Sequence, residues 1–312
     1  MVDQRVRIVN IVGTGRSGST LTDRLLGGVK GALSLGEFVF LWDRGVVGNQ
    51  LCGCGVEFHE CPFWSEVGKS AFGGWESADV SRMVWVAKQP RMQLAPFLLG
   101  YEPRRSMQKE LRDFAANLGL LYRAVQQVSG AHVLIDSSKC LWWALMLRSV
   151  SALDVSYLQL VRDSRDVAFS WTKEVVRPEI SDGTTLMPTF SVVRTSRDWV
   201  FDNFAFELLR RRHRGLLVRY EDMVADPKAE FQRVMKSIDF GPGSSDAVPE
   251  TLNVSHTVAG NPMRFSSGGP AIVAKQSGPS LRPRDRAIVS ALTLPLLIRY
   301  GYLKRSPAHD DY

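Results

Sequence analysis

Residues 6–26 read VRIVNIVGTGRSGSTLTDRLL, and this stretch decides the first unit of the fold. The run 6–12 is rich in β-branched residues, is too short for a helix and stops at Gly13, which predicts a buried parallel strand. A turn punctuated by glycines covers residues 13–18, and residues 19–26 then have helical spacing. The stretch therefore predicts a strand, an anion-binding loop and a helix in succession.

The same strand-and-helix unit recurs along the chain. Strands that alternate with helices imply a parallel sheet covered by helices on both faces, so we predict an α/β fold of three layers. The further predicted strands are 132–136, 154–161 and 215–219, and the further predicted helices are 140–150, about 164–175, 228–238 and 284–300. Two segments without clear periodicity, about 40–105 and 177–198, are interpreted as loop and helical insertions in one domain that spans residues 1–312.

The composition indicates a globular protein and excludes few functions. The chain has 312 residues, of which 45% are hydrophobic and 23% are charged, and a formal net charge of +7. This charge favours an anionic partner but does not distinguish a nucleotide from a nucleic acid or a membrane surface. No apolar run approaches the roughly 18 residues of a membrane-spanning helix, and four cysteines are too few for a disulfide framework. We therefore expect a cytoplasmic protein.

The glycine loop differs from a nucleoside-triphosphate loop at one position. Gly13, Gly18 and Thr20 have the spacing of the pattern Gly-x4-Gly-Lys-Ser/Thr, but Ser19 stands where that pattern has lysine. The loop backbone and the following helix N-terminus still favour an anion. The cation that bridges the β- and γ-phosphates is missing, and Arg16 inside the loop is the replacement cation. An ordinary ATPase or kinase is thus disfavoured.

Two motifs together resemble a known family. Residues 16–20 (RSGST) look like the 5′-phosphosulfate loop of sulfotransferases that use 3′-phosphoadenosine 5′-phosphosulfate (PAPS), and residues 161–170 (VRDSRDVAFS) are similar to the motif that binds the 3′-phosphate. Residues 136–139 (DSSK), 219–224 (RYEDMV) and 260–265 (GNPMRF) resemble later stretches of the same family, so that the resemblance runs from about residue 6 to 302. It implies cofactor-binding roles for Gly15, Arg16, Ser17, Gly18, Ser19, Thr20, Arg162, Ser170, Tyr220 and Arg264.

The resemblance also implies catalytic roles. Glu37 lies in a Gly-Glu pair after the first helix, where carbohydrate- and tyrosine-type sulfotransferases place such a pair, and is carried over as the general base. His256 is the alternative base. Because the loops after parallel strands converge at one edge of the sheet, Arg16 and Lys139 are the candidates to stabilise the bridging oxygen of the donor.

The predicted function is in-line transfer of the sulfuryl group of PAPS to a hydroxyl of a small-molecule, lipid or carbohydrate acceptor, without an obligatory metal, on a P-loop nucleotide-kinase-like fold. The product nucleotide would be adenosine 3′,5′-bisphosphate, and the two insertions would cover the acceptor. A P-loop kinase with Asp136 as a magnesium ligand is one alternative. A non-enzymatic module that binds nucleotide or RNA through the basic surface is the other.

Three local features have more than one interpretation. Cys52, Cys54, His59 and Cys61 are ligand types for zinc, but their spacing is tighter than in usual structural sites, which favours packing or a loop disulfide, and we assign no metal ligand. The basic run 210–214 is interpreted as the end of a helix whose apolar face includes Phe201, Phe204, Leu208 and Leu209, rather than as a nucleic-acid patch. The tryptophans of the first insertion would suit either an acceptor wall or a core; they are Trp42, Trp64, Trp75 and Trp85.

Overall fold

The centre of the fold is the first strand, β1 (Val6–Val12). It pairs in parallel with β3 (Val133–Asp136) on one side and with β4 (Leu153–Val161) on the other. Strands β2 (Ala32–Gly36) and β5 (Gly215–Arg219) complete a parallel sheet in the order β2-β3-β1-β4-β5. A computed structural model describes residues 5–88, 105–177, 179, 184–238, 240, 247–252, 254–266 and 280–303.

Helices cover both faces of this sheet, which confirms the predicted three-layer α/β fold. The described α-helices are α1 (Ser19–Gly27), α2 (Pro62–Phe72), α3 (Val80–Ala87), α4 (Arg105–Ser129), α5 (Leu141–Ser149), α6 (Ser164–Trp171), α7 (Val192–Arg212), α8 (Tyr220–Ala225), α9 (Pro227–Ser237) and α10 (Pro283–Arg299). Short 3₁₀ turns occupy Phe38–Phe40, Trp75–Ser77 and Pro262–Phe265, and a π-helix occupies Leu41–Val47. Among the described helices, none is both long enough and apolar enough to cross a lipid bilayer.

The strands alternate their side chains between two cores. Ile8 and Leu134 point into a core that α2, α4 and α5 close. Val9, Ile11 and Ile135 point to the opposite face, where α1, α8 and α9 pack. Because both faces are buried, the strands read as nearly continuous apolar runs rather than as alternating ones.

Strand β2 and helix α4 are among the elements of the fold that the sequence analysis did not predict. Strand β2 consists of Ala-Leu-Ser-Leu-Gly, which contains no β-branched residue and carries no strand signal. Helix α4 lies at the end of the first insertion and was not predicted. Helix α6 ends at Trp171 and so is shorter than the predicted 164–175. Within the two insertions, residues 89–104, 178 and 180–183 lie outside the described residues.

The predicted apolar face of α7 was correct for Leu209 but wrong for its two phenylalanines. Phe201 and Phe204 are 64% and 63% exposed, whereas Trp199, Asn203 and Phe206 are buried. These three residues follow one another at separations of four and three, which is the spacing of one helix face. The face that packs on the sheet is therefore rotated relative to the prediction, and it includes a polar residue.

The basic run at the end of α7 makes contacts inside the protein. The Arg210 Nε atom donates to Gln159 Oε1 at 3.0 Å, and the Arg211 Nε atom lies 2.9 Å from Glu207 Oε1. Cations in the last turn of a helix also complement its dipole. This arrangement agrees with the interpretation of the run as a helix end.

Candidate functional site

A cleft of about 410 Å³ opens beyond the carboxyl ends of the strands. Residues from the loops after all five strands line it, as the topology of a parallel α/β sheet requires of a ligand site. Its lining residues are Gly15, Arg16, Gly18, Ser19, Thr20, Leu21, Glu37, Phe40, Arg44, Lys139, Arg162, Ser170, Trp171, Arg177, Met187, Pro188, Tyr220, Gly260, Asn261 and Met263. The structure thus brings the three predicted catalytic residues together with eight of the ten predicted cofactor residues.

The loop after β1 forms a cradle of bare backbone. A side chain at Gly15 would place its Cβ 2.6 Å from the Trp171 ring. Gly18 has a φ of +91°, in the left-handed region, and a Cβ there would overlap the Tyr220 ring. Helix α1 begins at the next residue, so its free N–H groups and dipole face an anion in the cradle.

Arg16 brings the cation of the loop into the cleft. Its guanidinium lies 4.9 Å from the centre of the Trp171 ring, and its Nη2 atom is 3.1 Å from Met187 Sδ. Burial lowers the pKa of Arg16, and the nearby Glu37 carboxylate opposes this shift. The side chain is therefore held by an aromatic face and a sulfur atom, and none of these contacts neutralises its charge.

Glu37 and Lys139 form an ion pair in the cleft. The Lys139 Nζ atom is 2.7 Å from Glu37 Oε1 and also donates to the Ser137 carbonyl at 2.9 Å. Side-chain exposure is only 10% for Lys139 and 20% for Glu37. The predicted base and one of the predicted cations thus contact each other.

Arg16 and Lys139 share an unusual backbone conformation. Their φ angles are +68° and +52°, and of the described residues other than glycine only Asn49 also has a positive φ. This region is costly for side chains larger than glycine, and such outliers cluster at functional sites. The two cations of the predicted chemistry are therefore both aimed by strained turns.

The end of β4 supplies a second cation beside the loop. The Arg162 Nη1 atom donates to the Arg16 carbonyl at 3.2 Å, and its guanidinium lies 4.6 Å from the centre of the Tyr220 ring. Ser170, two turns further along α6, lines the same cleft. The residues of the two motifs therefore meet, as the family resemblance implies.

The site fits an anionic nucleotide. Among the described residues, the buried Nε atoms of Arg16 and Arg162 have no hydrogen-bond partner. Buried donors of this kind ordinarily have one. Five cationic side chains line the cleft against one carboxylate, Glu37. A polyanion in the cleft would meet both the unused donors and the excess charge.

Several lining residues were not found from the sequence. Arg44 and Arg177 are cations on irregular segments, and Phe40, Met187 and Pro188 add an apolar wall. The Arg44 guanidinium lies 3.8 Å from the centre of the Phe40 ring, and burial lowers the pKa of Arg44. Only tertiary packing brings these residues to the cleft. Neither insertion therefore has a sequence motif that predicts them.

Two of the predicted cofactor residues do not line the cleft. Ser17 is fully buried within the loop. Arg264 is 3% exposed, and its guanidinium donates to the carbonyl oxygens of Thr257 at 2.7 Å and Leu51 at 2.8 Å. Desolvation lowers the pKa of Arg264 to about 10. This geometry corrects the position predicted for Arg264, whose cation ties two loops together behind the cleft.

Asp136 is a buried structural carboxylate. Its Oδ2 atom accepts hydrogen bonds from Tyr122 Oη at 2.6 Å and from Trp143 Nε1 at 2.7 Å, and its Oδ1 atom accepts from the Ser138 backbone N–H at 2.9 Å. Burial raises the pKa of Asp136. Both oxygens are thus engaged by the protein, and the residue does not line the cleft, which disfavours it as a magnesium ligand.

His256, the alternative base, also lies away from the cleft. Its Nδ1 atom is 3.3 Å from Cys61 Sγ, in the cysteine cluster of the first insertion. His59, the histidine that the sequence placed with the cysteines, instead has its Nε2 atom 2.9 Å from the Val46 carbonyl. Glu37 is therefore the better placed of the two candidate bases.

The tryptophans of the first insertion belong to its core. Trp42, Trp64 and Trp75 are 1%, 0% and 8% exposed and pack on one another and on nearby phenylalanines. Trp85 is 50% exposed and does not line the cleft. The aromatic residues that do line it are Phe40, Trp171 and Tyr220.

The sheet and its covering helices define an α/β protein with a cleft at the carboxyl ends of parallel strands, and comparison with known proteins identifies the family. A family model described as "Sulfotransferase family" matches residues 9–240, so this chain belongs to the sulfotransferase family. A comparison with curated proteins gives no match.

Two solved structures are similar over nearly the whole chain. One is the sulfotransferase domain from the Synechococcus PCC 7002 olefin synthase, with 19% identity, a TM-score of 0.46 and 97% of each chain covered. The other is the sulfotransferase domain from the curacin biosynthetic pathway, with 16% identity, a TM-score of 0.47 and 93% of this chain and 98% of that chain covered.

Proposed function

We propose that this sulfotransferase uses PAPS as donor and transfers its sulfuryl group to a hydroxyl of a small-molecule, lipid or carbohydrate acceptor. The observation that carries the proposal is the contact between the two cation sites. Arg162, at the end of β4, donates to the carbonyl of Arg16 in the glycine loop. A nucleotide with phosphates on both the 5′ and the 3′ oxygen suits two such sites better than a nucleotide with one phosphate group.

The reaction exchanges one sulfur–oxygen bond for another. The acceptor hydroxyl oxygen forms a bond to sulfur while the bond from sulfur to the bridging oxygen breaks, and that electron pair stays on the phosphate of adenosine 3′,5′-bisphosphate. The hydroxyl proton passes to the Glu37 carboxylate. Arg16 and Lys139 stabilise the charge that develops on the bridging oxygen.

The ion pair between Glu37 and Lys139 sets an order for these events. In the free protein the 2.7 Å contact holds the ammonium and the carboxylate together. A bound donor offers the ammonium a second anionic partner, and as Lys139 turns toward it an oxygen of Glu37 becomes available to the acceptor hydroxyl. Donor binding thus prepares the base.

The acceptor binds at the apolar side of the cleft. The two insertions contribute the apolar lining residues Phe40, Met187 and Pro188 and the cations Arg44 and Arg177. The two insertions therefore cover the acceptor, as their sequence position suggests. A mainly apolar wall with two cations suits an acceptor that carries both a hydrocarbon or ring surface and a polar group.

Isothermal titration calorimetry tests the donor class. The protein should bind adenosine 3′,5′-bisphosphate much more tightly than adenosine 5′-monophosphate, because a charge-assisted hydrogen bond contributes about 1.5–3 kcal/mol. In Arg162→Ala this preference should shrink by roughly 10- to 100-fold. Arg197→Ala, at a side chain that is 74% exposed on α7, is the matched control and should leave both affinities unchanged.

Equal affinities of the parent for the two nucleotides would contradict the proposed donor. A preference that survives in Arg162→Ala would contradict the role of that arginine. Transfer of labelled sulfate from PAPS to an acceptor, measured on the same preparations, would connect binding with turnover.

A further inference from the structure

Four ligand atoms converge behind the cleft from two distant parts of the chain. They all lie within 4.8 Å of one another, although one of them comes from a segment about 200 residues away. We call this group the tetrad; its members are Cys52, Cys54, Cys61 and His256. The sequence alone grouped the cysteines with His59 and so missed the fourth member.

The distances within the tetrad match a tetrahedral metal site. Zinc binds sulfur at about 2.3 Å and nitrogen at about 2.0 Å, so a regular tetrahedron separates two sulfurs by about 3.8 Å and a sulfur from a nitrogen by about 3.6 Å. The Sγ atoms of Cys54 and Cys61 are 3.7 Å apart. The His256 Nδ1 atom is 3.7 Å from Cys52 Sγ and 3.3 Å from Cys61 Sγ.

A disulfide explains this geometry less well. The sulfurs of Cys54 and Cys61 would have to approach from 3.7 Å to about 2.0 Å, and no disulfide joins any of the four cysteines. One disulfide within the tetrad would also leave a buried thiol and an imidazole without a role. A single ion at the centre of the group would instead contact all three sulfurs and the nitrogen.

The backbone is built to bring the two segments together. The Gly53 N–H donates to the Thr257 carbonyl at 2.9 Å, and a Cβ at Gly53 would overlap the Ser255 carbonyl. Gly55 turns the chain with a φ of +91°. The glycine between the first two cysteines therefore permits a contact with the histidine segment that a larger residue would prevent.

The other members of the tetrad are oriented by their neighbours. Cys61 is the N-cap residue of α2, where the helix dipole favours a thiolate. The Phe63 ring stacks on the His256 ring with a centroid distance of 4.7 Å and an interplanar angle of 10°. This stacking fixes the plane of the imidazole while Nδ1 faces the sulfurs.

We propose that the tetrad binds one zinc ion. Four protein ligands fill a tetrahedral site and leave no open position for a water or a substrate, so the ion is structural. None of the four residues lines the cleft. The zinc site would fasten the cysteine loop to the segment that continues through Gly260 and Asn261, which do line it, and so would stabilise one wall of the cleft without taking part in the chemistry.

Metal analysis of the untagged protein, purified without chelator, tests the proposal first. Plasma mass spectrometry should find about one zinc per chain, and titration of the denatured, metal-free protein should find four reactive thiols. Cobalt added to the metal-free protein should give the visible spectrum of a tetrahedral thiolate site. Absence of zinc together with no response to cobalt would overturn the proposal, as would only two reactive thiols.

Two matched pairs of variants locate the site. Cys54→Ser should lose the bound zinc, whereas Cys140→Ser, at the one cysteine outside the tetrad, should keep it. His256→Gln should lose the zinc and shift the cobalt spectrum, and His59→Gln should do neither. The opposite result for the two histidines would overturn the assignment. Where a tetrad variant does not fold, the stoichiometry and cobalt spectrum of the parent still decide the proposal.

Discussion

The glycine loop and the first insertion border the same cleft but are built in opposite ways. The loop is shaped by the absence of side chains, since Gly15 and Gly18 leave room for the Trp171 and Tyr220 rings. The insertion is shaped by large side chains, since Trp42 and Trp64 are almost completely buried in it. The glycine loop can present backbone N–H groups to an anion. The first insertion forms a packed core that supports one wall of the cleft. The part of the cleft that we propose for the donor is therefore specified locally, and the part that we propose for the acceptor depends on packing.

The sharpest test of the donor end is Glu37→Gln. Glutamine keeps the size of the side chain but cannot take the proton, so turnover should fall by roughly 10²- to 10⁴-fold. Nucleotide affinity should not fall, because the loss of the carboxylate releases Lys139 for the donor. Single-turnover kinetics measures the first effect and calorimetry the second. Glu66→Gln, in an exposed ion pair with Lys69, is the control and should keep the parental rate. A Glu37→Gln variant with near-parental turnover would remove Glu37 as the base.

Mutations in the core of the first insertion should lower the free energy of unfolding of the protein. Trp64→Ala removes a fully buried ring, and the free energy of unfolding should fall by about 3–5 kcal/mol. Trp85→Ala, at a side chain that is 50% exposed, should cost less than about 1 kcal/mol. Urea unfolding compares the two variants. Equal losses would contradict the view that the insertion is a packed core.

Two glycines allow the effect of a positive φ alone to be compared with the effect of a positive φ combined with a steric clash. Both Gly18, in the loop, and Gly73, at the end of α2, have positive φ, but a Cβ at Gly73 would meet nothing within 4 Å. Gly18→Ala should therefore weaken the binding of adenosine 3′,5′-bisphosphate by about 10-fold or more, because it also displaces Tyr220. Gly73→Ala should cost about 1 kcal/mol of stability and leave nucleotide affinity unchanged. Similar nucleotide affinities in the two variants would argue against the cradle.

The pH dependence of stability should depend on Asp23, on the buried side of α1. Desolvation raises the pKa of Asp23 to about 7, although a hydrogen bond from Ser34 and the charge of Lys139 oppose this shift. Between the ordinary value of 3.8 and about 7, the folded protein keeps a proton that the unfolded chain releases. Stability should therefore fall as the pH rises through this window.

Asp23→Asn cannot ionise and should remove that part of the pH dependence. At pH 7 the variant should be more stable than the parent, and the difference should vanish toward pH 4. Urea unfolding at a series of pH values measures it. A stability difference that does not change with pH would show that Asp23 is ionised in the folded protein.

The contrast between the two regions also explains what the sequence could and could not predict. Strand β1 and strand β5 (Gly215–Arg219) lie where their apolar runs place them, because a buried parallel strand has a local signal. Strand β2 has none, since its five residues include two leucines and no β-branched residue. The family resemblance was confirmed by the match to residues 9–240.

The same contrast between local signals and tertiary packing applies to the residues of the candidate site. Arg16 and Arg162 belong to short motifs that follow strands β1 and β4, and both lie in the cleft. Arg264 also belongs to a motif, but two backbone carbonyls take up its guanidinium. Arg44 and Arg177 reach the cleft only through the folding of the insertions. Nothing local in a sequence reports a contact of that kind.

A crystal structure with adenosine 3′,5′-bisphosphate tests the central claim most directly. The account predicts the 5′-phosphate in the cradle of residues 15–20, against the N-terminus of α1, and the 3′-phosphate on Arg162 and Ser170. It also predicts that Lys139 turns from Glu37 toward the 5′-phosphate. A nucleotide bound in the reverse direction, or outside the cleft, would contradict the account.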